Sequence, residues 1–361
     1  MSMQPLRRKQ LKLMLASAGL VMAGSVMPLA AHAAGTVNIL ETGSTLLYPL
    51  FNLWVPDYTK MHSGVKITTQ GTGSGTGIAQ AISGVAQIGA SDAYMSDAQI
   101  KKAGTIINVP LAISAQSINY NVPGLNDHHL RLSGPVLAGI YDGSITKWND
   151  PAIRAMNPGV KLPDHVIVPI HRTDGSGDTF IFSQYLSFST PKWNNSVGYG
   201  TTISWPAVQG GVGANGNPGM VQACHGTPYS IAYIGVSFTK QIDQAGLGTA
   251  ELKNRAGRFL LPSQRTISDA AAGLIAKTPV DERISLVFSA GANSYPIINY
   301  EYAIVNTKQA NPAVATAVRD FLDWAVSSSG GNQAKYLRAV HFVALPARIQ
   351  HLSQQQIAKI Q

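Results

Sequence analysis

The sequence predicts an α/β fold with largely parallel strand pairing, and three observations carry that expectation. Short β-branched runs recur: Val37-Asn38-Ile39-Leu40, Val65-Lys66-Ile67-Thr68, Val166-Ile167-Val168-Pro169-Ile170 and Ser230-Ile231-Ala232-Tyr233-Ile234. Amphipathic segments separate them, and strands that alternate with helices imply crossover connections. Residues 312–326 put Val314, Ala317, Val318, Phe321, Leu322 and Ala325 on one helical face.

In chain order, residues 1–33 read as a secretory signal. Arg7, Arg8, Lys9 and Lys12 precede an apolar run from Leu13 to Leu29, and Ala31-His32-Ala33 places cleavage near Ala33/Ala34. An uncleaved anchor is the alternative. Arg7-Arg8 with Leu11-Lys12 weakly resembles a twin-arginine signal, so Sec and Tat export both stand. No Cys lies near the triplet to carry a lipid, and no second stretch has the length a bilayer needs. The mature chain is therefore expected outside the cytoplasm, with no membrane span.

A Gly-, Ser- and Thr-rich passage from strand to helix then occurs three times. Glu41–Pro49 leads into a helical pattern through Trp54 and Tyr58, Gly71–Gly77 precedes Ile78–Ile82, and His171–Thr179 precedes Phe180-Ile181-Phe182. Each offers a hydroxyl N-cap and glycines that let backbone N–H groups approach a ligand. A helix N-terminus carries free donors and partial positive charge, so it favours an anion. Ordinary capping accounts for any one such loop. Three of them, one with Arg172, point to an anion site if they converge. Val109–Tyr120 and Tyr295–Val305 read as crossovers between compact units, although a central strand would look similar. Gly198–Gly219 reads as a long surface loop.

Composition narrows the function classes. The chain has 361 residues, 45% hydrophobic and only 12% charged, with 35 Gly and 20 Pro, which suits one large or two smaller packed cores and excludes long solvated coiled coils. Cys224 stands alone, so no intrachain disulfide forms. Net charge is +9, and the four basic residues of the leader reduce it to +5 once removed. The phosphate-loop motif needs a Gly-Lys pair, and none exists; Gly71-x-Gly73 ends on Thr76 where a dinucleotide fingerprint needs Gly. Thr72 and Asp174 stand where a nucleophile elbow needs Gly, two residues before Ser74 and Ser176. The histidines lack metal-ligand spacing. Basic residues are dispersed and not interleaved with the five tryptophans, which disfavours nucleic acid. No enzyme, metal or cofactor is expected.

Taken together the segments resemble the periplasmic phosphate-binding proteins of high-affinity phosphate ABC importers, the PstS family. The markers are Gly43-Ser44-Thr45, Gly73-Ser74-Gly75, Ile88–Ala93, Ile140-Tyr141-Asp142-Gly143 with Lys147-Trp148, and Arg172–Gly177. Asp174–Leu186 and Tyr295–Asn306 are similar to the subgroup typified by the mycobacterial phosphate-binding antigen, from which the chain departs in lacking a lipobox cysteine. The resemblance implies a two-lobed α/β fold of the type II-like periplasmic binding protein class, with hinge-linked mixed sheets flanked by helices. Lobe I would comprise residues 34–113 and 298–361, and lobe II residues 114–297. It implies phosphate ligands Thr45, Leu46 (through its N–H), Ser74 and Asp92 from lobe I, and Arg172, Ser176, Gly177 and Asp178 from lobe II. The implied partners are inorganic phosphate and the permease and ATPase subunits of an importer, in the periplasm. Thr commonly stands where Asp178 does, and an aromatic where Leu46 does.

The residue types suit that role. Hydroxyls and N–H groups donate to phosphate oxygens, and Arg172 offers a charge-assisted fork. Asp174 either holds Arg172 or forms a turn. Asp92 accepts only, so it suits an oxyanion that still carries a proton, as phosphate does near neutral pH and sulfate does not. Asp178 either adds a second acceptor, which would weaken affinity as pH rises, or caps the next helix. A secreted phosphatase, a surface adhesin and a sulfate- or molybdate-tuned relative are the competing functions.

Overall fold

A computed structural model describes residues 35–361, and the leader read in residues 1–33 lies outside them. The β-branched runs fold as strands: β1 (Val37–Gly43), β2 (Val65–Gly71) and β3 (Ile88–Ser91) come first, before the sixteen-residue β4 (Ile106–Asn121). After β5 (Arg131–Leu132) come β6 (Val168–Arg172), β7 (Val212–Ala214), β8 (Ser230–Gly235) and β9 (Gly248–Thr249). β10 (Glu251–Lys253), β11 (Phe259–Leu260) and β12 (Ile298–Asn306) complete the set. One sheet runs β2-β1-β3-β12-β4-β8-β6-β7 with β9 beside β4, and β11-β10-β5 form a second, small sheet.

The expected parallel pairing holds only in the wings of the large sheet. β1 pairs in parallel with β2 and β3, and β6 with β7 and β8. The centre is antiparallel: β12 lies against β3 and β4, and β4 against β8. The reason lies in β4, whose residues are buried from Ile106 to Tyr120 and which spans both wings instead of turning back through a helix. Its first part pairs with β12 as far as Ala115, and its second part pairs with β8 from Gln116 onward. Of the two apolar stretches read as crossovers, Val109–Tyr120 lies in β4, which pairs in both wings, whereas the strand in Tyr295–Val305, β12, pairs only with β3 and the first part of β4, as a central strand would. Residues 36–361 form one compact unit.

Core packing ties the two ends of the described chain together. The helix Tyr48–Met61 buries Leu50, Phe51, Trp54 and Tyr58 on one side. Trp54 stands edge-on to Phe51 and to Phe321 of the helix Pro312–Val326, whose buried face is the one the periodicity predicts, with Val314 at its margin. Its Nε1–H donates to the Gly331 carbonyl at 2.9 Å, so the indole is both packed and satisfied. The stretch Gly198–Gly219 is only partly the loop expected: β7 and the start of the helix Gly216–Gly226 lie inside it. A three-residue strand and a helix opening Gly-Asn-Pro-Gly carry too little periodicity to be read.

Two buried glutamates make stability depend on pH. Burial raises the Glu41 carboxyl to about 8, against the opposing bond from Thr69, and raises the Glu282 carboxyl to about 9 against the bond from Ser353. A carboxyl raised in the folded state binds its proton more tightly there than in the unfolded chain. Its stabilising contribution is full below the ordinary glutamate value and is lost as pH rises through the folded value. The urea midpoint should therefore fall between roughly pH 5 and pH 9, and Glu282→Gln should make that fall shallower. Separately, Trp54→Ala should cost about 3–5 kcal/mol in urea unfolding, since it removes an indole from a filled core and orphans the Gly331 carbonyl. A loss below about 1 kcal/mol would mean that the two chain ends do not share one core.

Candidate functional site

Parallel strands bring their carboxyl ends side by side, and a cleft outside those ends is where open α/β sheets place ligands. Gly43 pairs with Gly71 at the ends of β1 and β2, and Gly43 also pairs with Ala90 of β3. Thr72 and Gly73 N–H donate to the Gly43 carbonyl at 2.8 and 2.7 Å, which clamps the first two Gly-rich loops together. Ser44, Thr45, Ser74 and Asp92 are thereby gathered at one edge. On the other wing, β6 ends on Arg172, and the helices Gly177–Ser189 and Gly216–Gly226 start beside it.

The two edges meet. Gly75 N–H donates to the Gly175 carbonyl at 2.8 Å. Asn217 donates to Thr45 Oγ1 from its backbone at 3.1 Å and from Nδ2 at 3.0 Å. Ser237 Oγ donates to the Leu46 carbonyl at 2.7 Å, and the Leu46 side chain lies against Gly235. Gly177 faces Asp92 so closely that a Cβ there would sit 2.6 Å from both Asp92 Cβ and Ser74 Oγ. The structure therefore brings Thr45, Leu46, Ser74, Asp92, Arg172, Ser176, Gly177 and Asp178 to one junction.

Arg172 is the buried charge at its centre. Its Nε donates to Asp174 Oδ1 at 2.7 Å, a second arm bonds Asp174 Oδ2, and its third donor reaches Asp178 Oδ2 at 2.7 Å. Three of its donors are thus spent on carboxylates, so the fork expected to face a ligand faces Asp174 instead. Asp174 is the clamp on Arg172, with Gly216 N–H donating to it at 3.1 Å. Burial pushes the Asp174 carboxyl up, but the guanidinium outweighs that and holds it below the ordinary carboxylate value.

Asp178 is not the helix cap. Ser176 caps that helix by accepting from Thr179 N–H at 3.1 Å. Asp178 sits inside the first turn, fully buried, with Asn217 Nδ2 on Oδ2 at 2.7 Å and Gln116 Nε2 on Oδ1 at 3.1 Å. At the other two loops the N-cap positions fall on Leu47 and on Gly73, which has φ +91°; Ser44 Oγ accepts from Leu47 N–H at 2.9 Å, ahead of the first of these helices. Ser44 and Ser74 are also turned to Asp92. Ser44 Oγ donates to Asp92 Oδ1, and Ser74 Oγ to Oδ2 at 3.3 Å. Burial raises the Asp92 carboxyl to about 7, with the charge on Asp178 adding to the shift. Burial also raises Asp178, against the pull of Arg172.

Sequence reading missed Ser44 as a donor to Asp92, and also Gln116, Asn217 and Glu301. Asn217 hid in the Gly-rich stretch taken for a loop. Glu301 had a legible signal, a lone carboxylate inside the apolar run Tyr295–Val305, because acids are almost never fully buried without a partner. Among the described residues no cluster of His, Cys, Asp or Glu is arranged to hold a metal ion, and no helix is long and apolar enough to cross a membrane.

Comparisons with known proteins bear on the family and the fold. Residues 29–329 match the family model of the PBP superfamily domain. The phosphate-binding protein PstS of Methanocaldococcus jannaschii is 35% identical over 347 residues, covering 91% of this chain and 88% of that protein. The phosphate-binding protein PstS 3 of Mycobacterium leprae is 31% identical over 309 residues, 83% of this chain and 80% of its own length. Among solved structures, the high-affinity periplasmic phosphate-binding protein PfluDING, bound with phosphate, shares the fold at TM-score 0.69 and 22% identity, over 88% of this chain and 93% of that one. By identity of this extent over most of its length, the chain belongs to the PstS family of phosphate-binding proteins.

Proposed function

We propose that this chain captures inorganic phosphate between its two wings and delivers it, outside the cytoplasm, to the permease and ATPase of an ABC importer. The observation that carries the reading is Asp92, a buried acceptor facing the N-terminus of the helix Gly177–Ser189 across the junction. An anion held there meets the free N–H groups of Gly177 and Asp178, which have no intrahelical partner by position, the hydroxyls of Thr45 and Ser176, and that of Ser74 once it turns from Asp92. Leu46 N–H completes the proposed donor set. Arg172, neutralised by Asp174 and Asp178, supplies orientation and its remaining N–H groups rather than bare charge. Residues 34–113 with 298–361 form one lobe in this reading and residues 114–297 the other. The PstS relatives are named for binding, and we take this chain likewise as a receptor rather than an enzyme, exported by cleavage near Ala33.

Selectivity follows from Asp92. An ionised carboxylate accepts the proton of phosphate, whereas sulfate offers none and leaves lone pairs facing each other in a buried site, a penalty on the order of several kcal/mol. Calorimetric titration of the protein, freed of ligand by unfolding and refolding, should give tight one-to-one phosphate binding and sulfate binding weaker by about a thousandfold or more. Heat from neither anion, with the fold intact, would overturn the reading. Asp178 adds a second acceptor, so phosphate affinity should weaken from roughly pH 6 to pH 9, and Asp178→Thr should flatten that profile. Identical profiles would remove Asp178 from the proton-sensing set.

Closure has its own test. A methyl group on Gly177 cannot fit against Asp92 and Ser74 unless the wings separate. Gly177→Ala should bind phosphate at least about tenfold more weakly and show a larger radius of gyration in X-ray scattering with saturating phosphate. An unchanged radius and affinity would mean that this contact does not define the closed form.

A further inference from the structure

Glu301 is fully buried one strand away from Asp92 and has no part in the donor set proposed above. It lies on β12 at a register shift between Glu301 and Tyr302, and Tyr302 pairs with Ser91, the residue before Asp92. Bulges of this kind re-aim a side chain out of the regular alternation, often beside a functional site. Asn299 Nδ2 ties the two positions together, donating to the Asp92 carbonyl at 3.2 Å and to Glu301 Oε1 at 3.1 Å.

The partners divide unevenly between the two acids. Glu301 Oε1 accepts from Ser114 Oγ and from Asn299, while Glu301 Oε2 is buried with no donor to meet it. Asp92 has a serine hydroxyl on each oxygen. Two buried carboxyls in hydrogen-bond contact cannot both be ionised, so one proton must lie between them. Each carboxyl accepts from two donors, but Asp92 has one on each oxygen while both of those on Glu301 fall on Oε1, so Asp92 keeps the charge and Glu301 Oε2, the oxygen without a donor, carries the proton.

We propose that Glu301 is a positioning residue for the anion discriminator: it stays a neutral carboxylic acid whose Oε2–H donates to Asp92 and holds Asp92 as an acceptor. Burial and the neighbouring Asp92 both raise the Glu301 carboxyl well above its ordinary range, in keeping with that assignment. The other charged groups facing Asp92 are Asp178 and Arg172, with Asp174 behind Arg172; facing Glu301, the titratable group is Asp92. Without the Glu301 donor, Asp92 would take up a proton itself near neutral pH and become a donor. Sulfate would then find a partner where it previously met a lone pair. This proposal rests on the phosphate-receptor reading for its consequence, but not for the position of the proton.

The test compares the protein with Glu301→Gln, whose amide still donates, and Glu301→Met, which cannot. Phosphate and sulfate dissociation constants would be measured by calorimetry from roughly pH 5.5 to pH 8.5, with thermal unfolding as the fold control. The expected result is a phosphate-to-sulfate preference near neutral pH that Glu301→Gln keeps and Glu301→Met lowers about tenfold or more, recovering as pH rises. A preference unchanged in Glu301→Met, or lost equally in Glu301→Gln, would overturn the role. Should Glu301→Met fail to fold, infrared difference spectra of the parent against Glu301→Gln decide the matter. A protonated-carboxyl C=O band present only in the parent at about pH 8 supports the assignment, and its absence overturns it. A parent that binds no phosphate would sink the receptor reading, while the infrared comparison would still decide where the proton lies.

Discussion

The site depends on the burial of the Arg172 guanidinium between Asp174 and Asp178. A cation taken out of water at the end of β6 needs its N–H groups paired, and the two carboxylates do that at 2.7 Å. Each carboxylate must in turn be satisfied, which draws in Gly216 N–H and Asn217 from the start of one helix and Gln116 from β4. Removing one member of such a set leaves an unpaired buried charge, at a cost of about 3–5 kcal/mol. The cluster therefore fixes the relative positions of β4, β6 and the helices that begin at Gly177 and Gly216. In the proposed phosphate site the cation is thus balanced within the protein, and the ligand would be met by dipoles and hydroxyls.

Where the Gly-rich loops of the two wings touch, the contact is backbone against backbone or against short side chains, while Tyr94 stands edge-on to Phe180 at another point of the junction. Gly75 meets Gly175, Gly73 meets Asp174, and Gly177 meets Asp92. No side chain intervenes at these approaches, so the loops are in contact to within a methyl group. The wings are joined through β4, which carries its pairing from β12 over to β8 between Ala115 and Gln116 without a break in the strand. Gln116, the first residue paired with β8, bonds Asp178. In the proposed closure, this bond would tie the point where β4 passes from one wing to the other to a carboxylate of the proposed site.

Much of this was legible in the chain. The apolar face of Pro312–Val326 follows from helical spacing, and the three Gly-rich junctions follow from their composition. Arg172, Asp174, Ser176 and Asp178 lie within seven residues, so their pairing is local chemistry at a strand end. The antiparallel centre of the sheet was not legible, because β4 is buried on both faces and shows no alternation that would tell a parallel from an antiparallel setting. Nor was Asn217, which bonds Asp178 across 39 positions and Thr45 across 172.

The sequence by itself determined the chemical inventory: hydroxyls and glycines at strand ends, one arginine with its acids close by, and an acceptor at Asp92. Those features are set by local spacing and residue type, which a linear reading can see. Only the tertiary structure decided that Arg172 spends its fork on Asp174 and Asp178, that Ser176 rather than Asp178 caps its helix, and that Glu301 stands against Asp92. The physical reason is the same in each case. A buried polar group takes whichever partner the packing brings within reach, and that reach is a property of the fold, not of the distance along the chain.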